Sequence, residues 1–206
     1  MKTNHKYLKT ILLGVSLMTA AQVFAQQSDL QPKDTTTREL RHTINMCPLG
    51  TVLGIFSVNY EYLIKPHHGL VFRADYEAIP KTYGSAGIDA NGFAFVLNYR
   101  YHAQGKMESC FVGTFARFRQ YQGKGKLENQ DFDFTIPDIT LGLNVGRRWV
   151  WSSGFNIAFN LGYGYMIDRR KVDNGTEAIY NAIDEFQDGY DFISGFLGEL
   201  SIGYSF

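Results

Sequence analysis

The chain has 206 residues, 45% of them hydrophobic and 15% aromatic, and its 20 Lys and Arg are balanced by 20 Asp and Glu. A net charge of zero offers no basis for a nucleic-acid partner, and the length fits one domain. Beyond the N-terminus no run of 18 apolar residues occurs, which excludes a membrane protein built from helices.

The N-terminus carries Lys2, His5, Lys6 and Lys9, then an apolar stretch from Ile11 to Ala21, then Val23-Phe24-Ala25 ahead of Gln26. This is the pattern of a cleaved secretory signal peptide over residues 1–25; the apolar stretch is too short to cross about 30 Å of hydrocarbon as an anchor. No Cys directly follows the apolar stretch, and Cys47 lies far downstream, which disfavours a lipoprotein. Cys47 and Cys110 fall on strands well apart, which disfavours a disulfide. Residues 26–39 are polar, contain Pro32 and show no period, so they read as a flexible periplasmic lead-in.

From residue 40 onward the hydrophobicity lies in alternation, which is the mark of β-strands. Leu40, His42, Ile44 and Met46 alternate with Arg41, Thr43, Asn45 and Cys47 up to Pro48. Phe56, Val58, Tyr60 and Tyr62 oppose Ser57, Asn59 and Glu61, and a turn follows at Lys65-Pro66-His67-His68. Leu70, Phe72, Ala74 and Tyr76 oppose Arg73, Asp75 and Glu77, after which residues 79–91 read as a loop. Phe93, Phe95, Leu97, Tyr99 and Tyr101 oppose Ala94, Asn98 and Arg100, with a short connection at residues 103–107. The fifth strand, residues 108–121, has apolar residues on both faces and is assigned with Arg117 and Arg119 inward. Residues 122–137 are polar and read as a long loop. Ile139, Leu141, Leu143 and Val145 then oppose Thr140, Gly142, Asn144, Gly146 and Arg148, ending at Trp149 and Trp151. Beyond the turn at Ser152-Ser153-Gly154, Phe155, Ile157, Phe159, Leu161, Tyr163 and Tyr165 oppose Asn156, Ala158, Asn160, Gly162 and Gly164. Residues 169–189 read as the longest loop. The last strand, residues 191–206, puts Phe192, Phe196, Leu200, Ile202, Tyr204 and Phe206 on one face.

The strands number eight, and short turns after the second, fourth and sixth alternate with longer loops after the third, fifth and seventh. That is the pattern of an all-β, eight-stranded, up-and-down antiparallel transmembrane β-barrel over residues 40–206, with tight periplasmic turns and extended outward loops. The outward face is apolar, as outer-membrane lipid requires, and aromatics gather near strand ends as girdles. The expected location is the cell outer membrane.

Ile44-Asn45, Ser57-Val58-Asn59-Tyr60-Glu61-Tyr62 and the closing Tyr204-Ser205-Phe206 carry a resemblance to the small eight-stranded outer-membrane β-barrels of Gram-negative bacteria, in particular those described only as outer-membrane β-barrel domains. The resemblance implies a cell-envelope protein whose terminal Tyr204 and Phe206 form an assembly signal read by the barrel-assembly machinery. It fixes fold and location better than activity.

Candidate sites are of two kinds. Inside the barrel, Glu61, Arg73, Asp75, Arg100, Arg117, Arg148 and Glu199 are expected to form a lumen charge network, with Arg41, Glu77 and Arg119 also inward, because eight-stranded lumens are filled by side chains and unpaired charges there are costly. A turn placing Lys65 opposite Gly69 sets Glu61 against Arg73 and Asn59 against Asp75. In the outward loops Tyr83, Phe132, Tyr180 and Phe186, beside Asp131, Asp133, Asp184, Glu185 and Asp188, are candidate binding residues for an extracellular ligand. The acidic groups do not match a calcium loop, Gly123-Lys124-Gly125-Lys126 lacks phosphate-loop spacing, and Asn174-Gly175 reads as a tight turn. No catalytic set, metal site or cofactor is expected. A lipid-modifying enzyme needs a His with a hydroxyl neighbour, and neither His102 nor His67-His68 has a Ser on its face. The reading is therefore a structural or extracellular-binding barrel with a plugged polar lumen; a lipid-modifying enzyme and a narrow, porin-like pore are the alternatives.

Overall fold

The computed structural model describes residues 39–52, 54–79, 88–127, 130–169, 171–172 and 176–206; the signal peptide, the lead-in up to residue 38, Tyr83 and Asn174-Gly175 lie outside them. The elements are β1 (His42–Met46), α1 (Pro48–Val52), β2 (Ile55–Lys65), β3 (His68–Ile79), β4 (Asp89–His102), β5 (Ser109–Leu127), β6 (Gln130–Val150), β7 (Phe155–Asp168), β8 (Lys171–Val172), α2 (Glu177–Ser194) and β9 (Phe196–Ser205). Eight strands pair antiparallel in the order β1-β2-β3-β4-β5-β6-β7-β9, and β9 returns to β1, so the ring is closed. The ninth, two-residue β8, is a strap on β6 at Phe134 and Thr135. The fold is thus the eight-stranded antiparallel barrel that the alternation predicts.

The ring is strongly staggered. Following the register from His42 through Tyr62, Leu70, Tyr99, Thr114, Leu143 and Tyr163 arrives on β9 at Phe196, whereas His42 itself bonds Phe206, ten positions further on. Such a shift tilts the strands and narrows the interior to what side chains can fill. Several inward glycines serve this curvature. Gly92, Gly123, Gly125, Gly142 and Gly146 each lie directly opposite an aromatic, namely Tyr121, Phe134, Phe132, Phe115 and Phe111, and a Cβ at any of them would run into that ring. An aromatic laid over a cross-strand glycine fills the space that the missing side chain leaves.

One end of the barrel carries the tight turns and both strand termini. The β2–β3 turn closes through His67 at φ 73°, and β7 follows Gly154 at φ 91°. Here the register differs from expectation. A bulge at Ile64 pairs Lys65 with His68 and Leu63 with Gly69, so Glu61 stands opposite Val71 and Asn59 opposite Arg73. The two-residue shift moves Arg73 away from Glu61.

At the other end the wall is uneven: β5 and β6 run 19 and 21 residues, whereas β2 has 11, β9 has 10 and β1 has 5. Residues 122–137, expected as a loop, are for the most part the paired upper parts of β5 and β6. The cause is a reversal of phase. Along the lower part of β6 the outward residues are Ile139, Leu141, Leu143 and Val145; above Asp138 the apolar residues Ile136, Phe134 and Phe132 point inward, and Asp133 and Asp131 point out. β5 does the same, with Val112 and Phe118 outward below and Lys124 and Lys126 outward above. The lower band suits hydrocarbon and the upper one water.

The second expected loop, residues 169–189, also folds. It contains β8 and most of α2, and α2 continues through residue 194, so the last strand begins at Phe196 rather than at residue 191. Thr176 starts the helix by accepting from the N–H of Ile179 on its Oγ1 (3.4 Å) and of Tyr180 on its carbonyl (3.0 Å). Ile179 and Ile183, one turn apart, bury one face of α2.

Candidate functional site

The lumen holds two layers of charge. In the layer nearer the turns, Glu61 is wholly buried and lies 2.9 Å from Arg100 Nη1, 2.8 Å from Arg148 Nη2 and 2.7 Å from His102 Nε2. Arg100 bridges onward to Glu199 through Nη2 at 2.8 Å, and Glu199 also accepts from Asn59 Nδ2 (3.0 Å) and Ser201 Oγ (2.7 Å). The Arg100 guanidinium lies 4.2 Å over the Phe111 ring, and Arg148 Nη1 meets Met107 Sδ at 2.7 Å. Gly69 makes room for the pair: a Cβ there would strike Glu61 Oε1 and His102 Nε2. A further set of neutral groups, Asn45, Asn156, Thr43, Ser201 and Ser205, is linked by hydrogen bonds of 2.9–3.1 Å beside it.

In the upper layer Arg73 donates to Asp75 (2.7 Å), Ser57 Oγ (3.1 Å) and the carbonyl of Gly198 (2.9 Å). Arg117 donates to the carbonyl of Phe196 (2.9 Å) and to Thr140 Oγ1 (3.2 Å). Arg119 pairs with Asp138 at 2.7 Å, lies 3.8 Å from Glu77, and sits over the Tyr121 ring, whose hydroxyl donates to Glu77. All seven expected lumen residues, Glu61, Arg73, Asp75, Arg100, Arg117, Arg148 and Glu199, therefore point inward, but in two groups rather than around a Glu61–Arg73 pair. Sequence reasoning missed His102 and Asp138 as members. Both keep the inward parity of their strands, and that parity could have placed them. Arg41, expected inside, instead pairs with Glu39 at 2.7 Å on the surface, because β1 begins one residue later.

His102 is consumed by Glu61, His67 Nδ1 lies 2.7 Å from the His102 carbonyl, and His68 Nδ1 lies 2.7 Å from the Tyr99 hydroxyl. These three histidines therefore brace the turn end. Among the described residues no group of three His, Cys, Asp or Glu side chains is arranged to hold a metal ion, and Cys47 and Cys110 are free thiols.

The candidate loop residues do not gather on one surface. Phe132 is buried, facing inward over Gly125 and packed with Ile88, Ala90, Tyr121, Phe134, Ile136, Ile179 and Ile183 in an apolar chamber under α2. It cannot meet an outside ligand, because above residue 138 the apolar parity is inward. Tyr180 is exposed on α2, while Tyr83 and the side chain of Phe186 lie outside the described residues. At the opposite end Tyr204 pairs with Ile44, and Phe206 exchanges both backbone bonds with His42 and stacks on its ring at 5.4 Å.

No curated protein matches the sequence. Among solved structures, the crystal structure of Acinetobacter baumannii CarO is similar over 82% of this chain and 98% of that chain, at 11% identity and a TM-score of 0.40. The family model described as "Protein of unknown function (DUF3575)" matches residues 8–182, most of the chain, and the protein belongs to that family.

Proposed function

We propose that this is an integral outer-membrane β-barrel whose lumen is plugged by charge pairs and whose upper end, rather than a pore, carries the activity as a binding surface. The observation that carries the reading is the opposition of the two faces at one level of the wall. Phe93, Phe95, Leu97, Leu141 and Leu143 are exposed outward on the stretches of β4 and β6 that pair with β5 around Arg117 and Arg119, and there Arg117, Arg119 and Asp138 are buried inward. Only hydrocarbon outside makes that outward face favourable, and only mutual pairing inside makes the charges tolerable. The paired guanidiniums and carboxylates span the interior, which argues against a water-filled channel.

The signal-peptide pattern and the Tyr204/Phe206 terminus support delivery by export and the barrel-assembly machinery, with the turn end in the periplasm and α2 outside. The test is reconstitution in planar bilayers and vesicles. A folded band that migrates differently before and after boiling, without single-channel conductance and without release of fatty acid from the lipid, is the expected result. Steady conductance would establish the pore instead, and lipid hydrolysis the enzyme.

A further inference from the structure

The wall is incomplete where its first and last strands meet. β1 stops at Met46, and its register with β9 runs only from Thr43 to Met46 against Ile202 to Ser205. Above that level, among the described residues, no strand lies between β2 at Ile55 and β9 at Phe196 to Leu200. The chain leaves the sheet there as the five-residue α1, which has no buried side chain and touches both β2 and β9.

The open edge of β9 is latched by side chains. Because Phe206 and His42 exchange both backbone bonds, even-numbered residues of β9 turn their carbonyls towards β1. The three such carbonyls above the end of β1 are each taken by a side-chain donor: Leu200 by Cys47 Sγ at 3.2 Å, Gly198 by Arg73 Nη1 at 2.9 Å and Phe196 by Arg117 Nη1 at 2.9 Å. The two arginines stand on β3 and β5, so they reach the edge from inside the lumen. Immediately behind the edge, Leu197 is buried against Val96 and Phe115, a small apolar cluster beside the two arginines, since Val96 stands opposite Arg73 on β3 and Arg117 on β5. In front of it, Phe56, Phe196 and Leu200 are exposed, and α1 presents Leu49 and Val52, the latter 81% exposed.

We infer that a small uncharged apolar molecule passes sideways from the surrounding hydrocarbon through this window between β2 and β9 to a site on Leu197, Val96 and Phe115. The inference rests on the membrane reading above. A peptide strand is a poorer occupant, since the carbonyls it would pair are already satisfied. An ion is poorer still, since Arg73 is paired with Asp75, and Arg100 with Glu61 and Glu199. Side-chain latches suit such a passage because they part without unzipping a ladder.

The test uses the mature protein in phosphatidylcholine vesicles, with Ser201→Cys as a lock. Position 201 lies opposite Cys47 in the continued register, at a pair without mutual backbone bonds, where Cα atoms approach to about 4.5 Å and a disulfide fits. The probe is 3-trifluoromethyl-3-phenyldiazirine, which loses nitrogen on illumination and inserts as a carbene; labelled residues are read by mass spectrometry. In the reduced protein label is expected on Leu197, Phe115 or Val96 as well as on outward Leu143 and Phe95. In the oxidised protein the inward label should fall to background while the outward label stays. If the lock does not form, Arg73→Lys, which keeps the charge but loses the fork to Gly198, should raise the inward label over wild type. Inward label that is equal in the locked and open states, or missing from the reduced protein, or unchanged by Arg73→Lys, overturns the window. Absence of the outward label in every sample would instead overturn the membrane reading.

Discussion

Glu61 is the group on which the lower lumen depends, and its replacement by Gln is the sharpest test of the plug. Glu61→Gln keeps the shape and removes the charge that Arg100, Arg148 and His102 share. Arg100 retains Glu199 at 2.8 Å, whereas Arg148 loses its carboxylate partner and keeps only neutral contacts, Met107 Sδ at 2.7 Å and the side-chain amide that replaces Glu61. Removing one member of a buried pair typically costs ~3–5 kcal/mol, and because Arg100 keeps a partner the lower end, about 3 kcal/mol, is expected. The loss comes from the stranded Arg148 charge, so the double variant Glu61→Gln/Arg148→Met should recover most of it, as apolar replacements of buried ion pairs are often neutral. The assay is urea unfolding from lipid vesicles followed by the fluorescence of Trp149 and Trp151, with the slope checked for constancy. Lys126→Ala on the exposed outward face of β5 serves as the control and should stay within about 0.5 kcal/mol of wild type. A Glu61→Gln loss below about 1 kcal/mol, of the size of an exposed ion pair, would show that the lumen is solvated. A double variant no better than the single one would refute the stranded-charge argument.

Three further outcomes follow from the same geometry. Leu143→Arg places a charge on the middle of the outward apolar band and should cost about 2–4 kcal/mol or block insertion, whereas Asp133→Arg, above the phase reversal, should insert normally; membrane fractionation with urea washing separates them. Ile183→Asp removes one of the two described anchors of α2, and limited proteolysis of intact vesicles should then cut within residues 177–194 while the barrel stays folded on unboiled gels. Deleting Phe206 removes both backbone bonds to His42 and should lower the amount of protein in the outer membrane; unchanged levels would count against the terminal signal.

Much of the barrel was legible because a lipid-facing strand writes its period in residues such as Leu141, Leu143 and Val145, which have no other reason to alternate with Asn144 and Gly146. The same reading failed above residue 137 on β6. Phe132, Phe134 and Ile136 alternate just as strictly, but with the opposite parity and with Asp131 and Asp133 between them, and Pro137 interrupts the two phases. Read for one solvent, that stretch looks like a polar loop. The helix was overlooked although Ile179, Ile183, Phe186, Tyr190 and Ile193 recur at helical spacing, because the acidic residues and Gly189 among them read as a loop and the partner surface that Ile179 and Ile183 meet comes from β4, β5 and β6. Inward parity placed Glu61, Arg100, Arg148 and Glu199, yet pairing between them depends on register, and a single bulge at Ile64 was enough to separate Glu61 from Arg73.

In the membrane setting proposed above, the unequal height of the wall would give the molecule a heading within the membrane plane. Beside β5 and β6 the sheet stands well above the level at which the phase reverses, while on the side of β9, β1 and β2 the rim is low. A neighbouring protein can lie flush against the low side up to its own outer surface, but on the tall side it meets a charged parapet bearing Lys124, Lys126, Asp131 and Asp133. On the membrane reading proposed above, such a shape would let neighbours approach more closely on the low side than on the tall one.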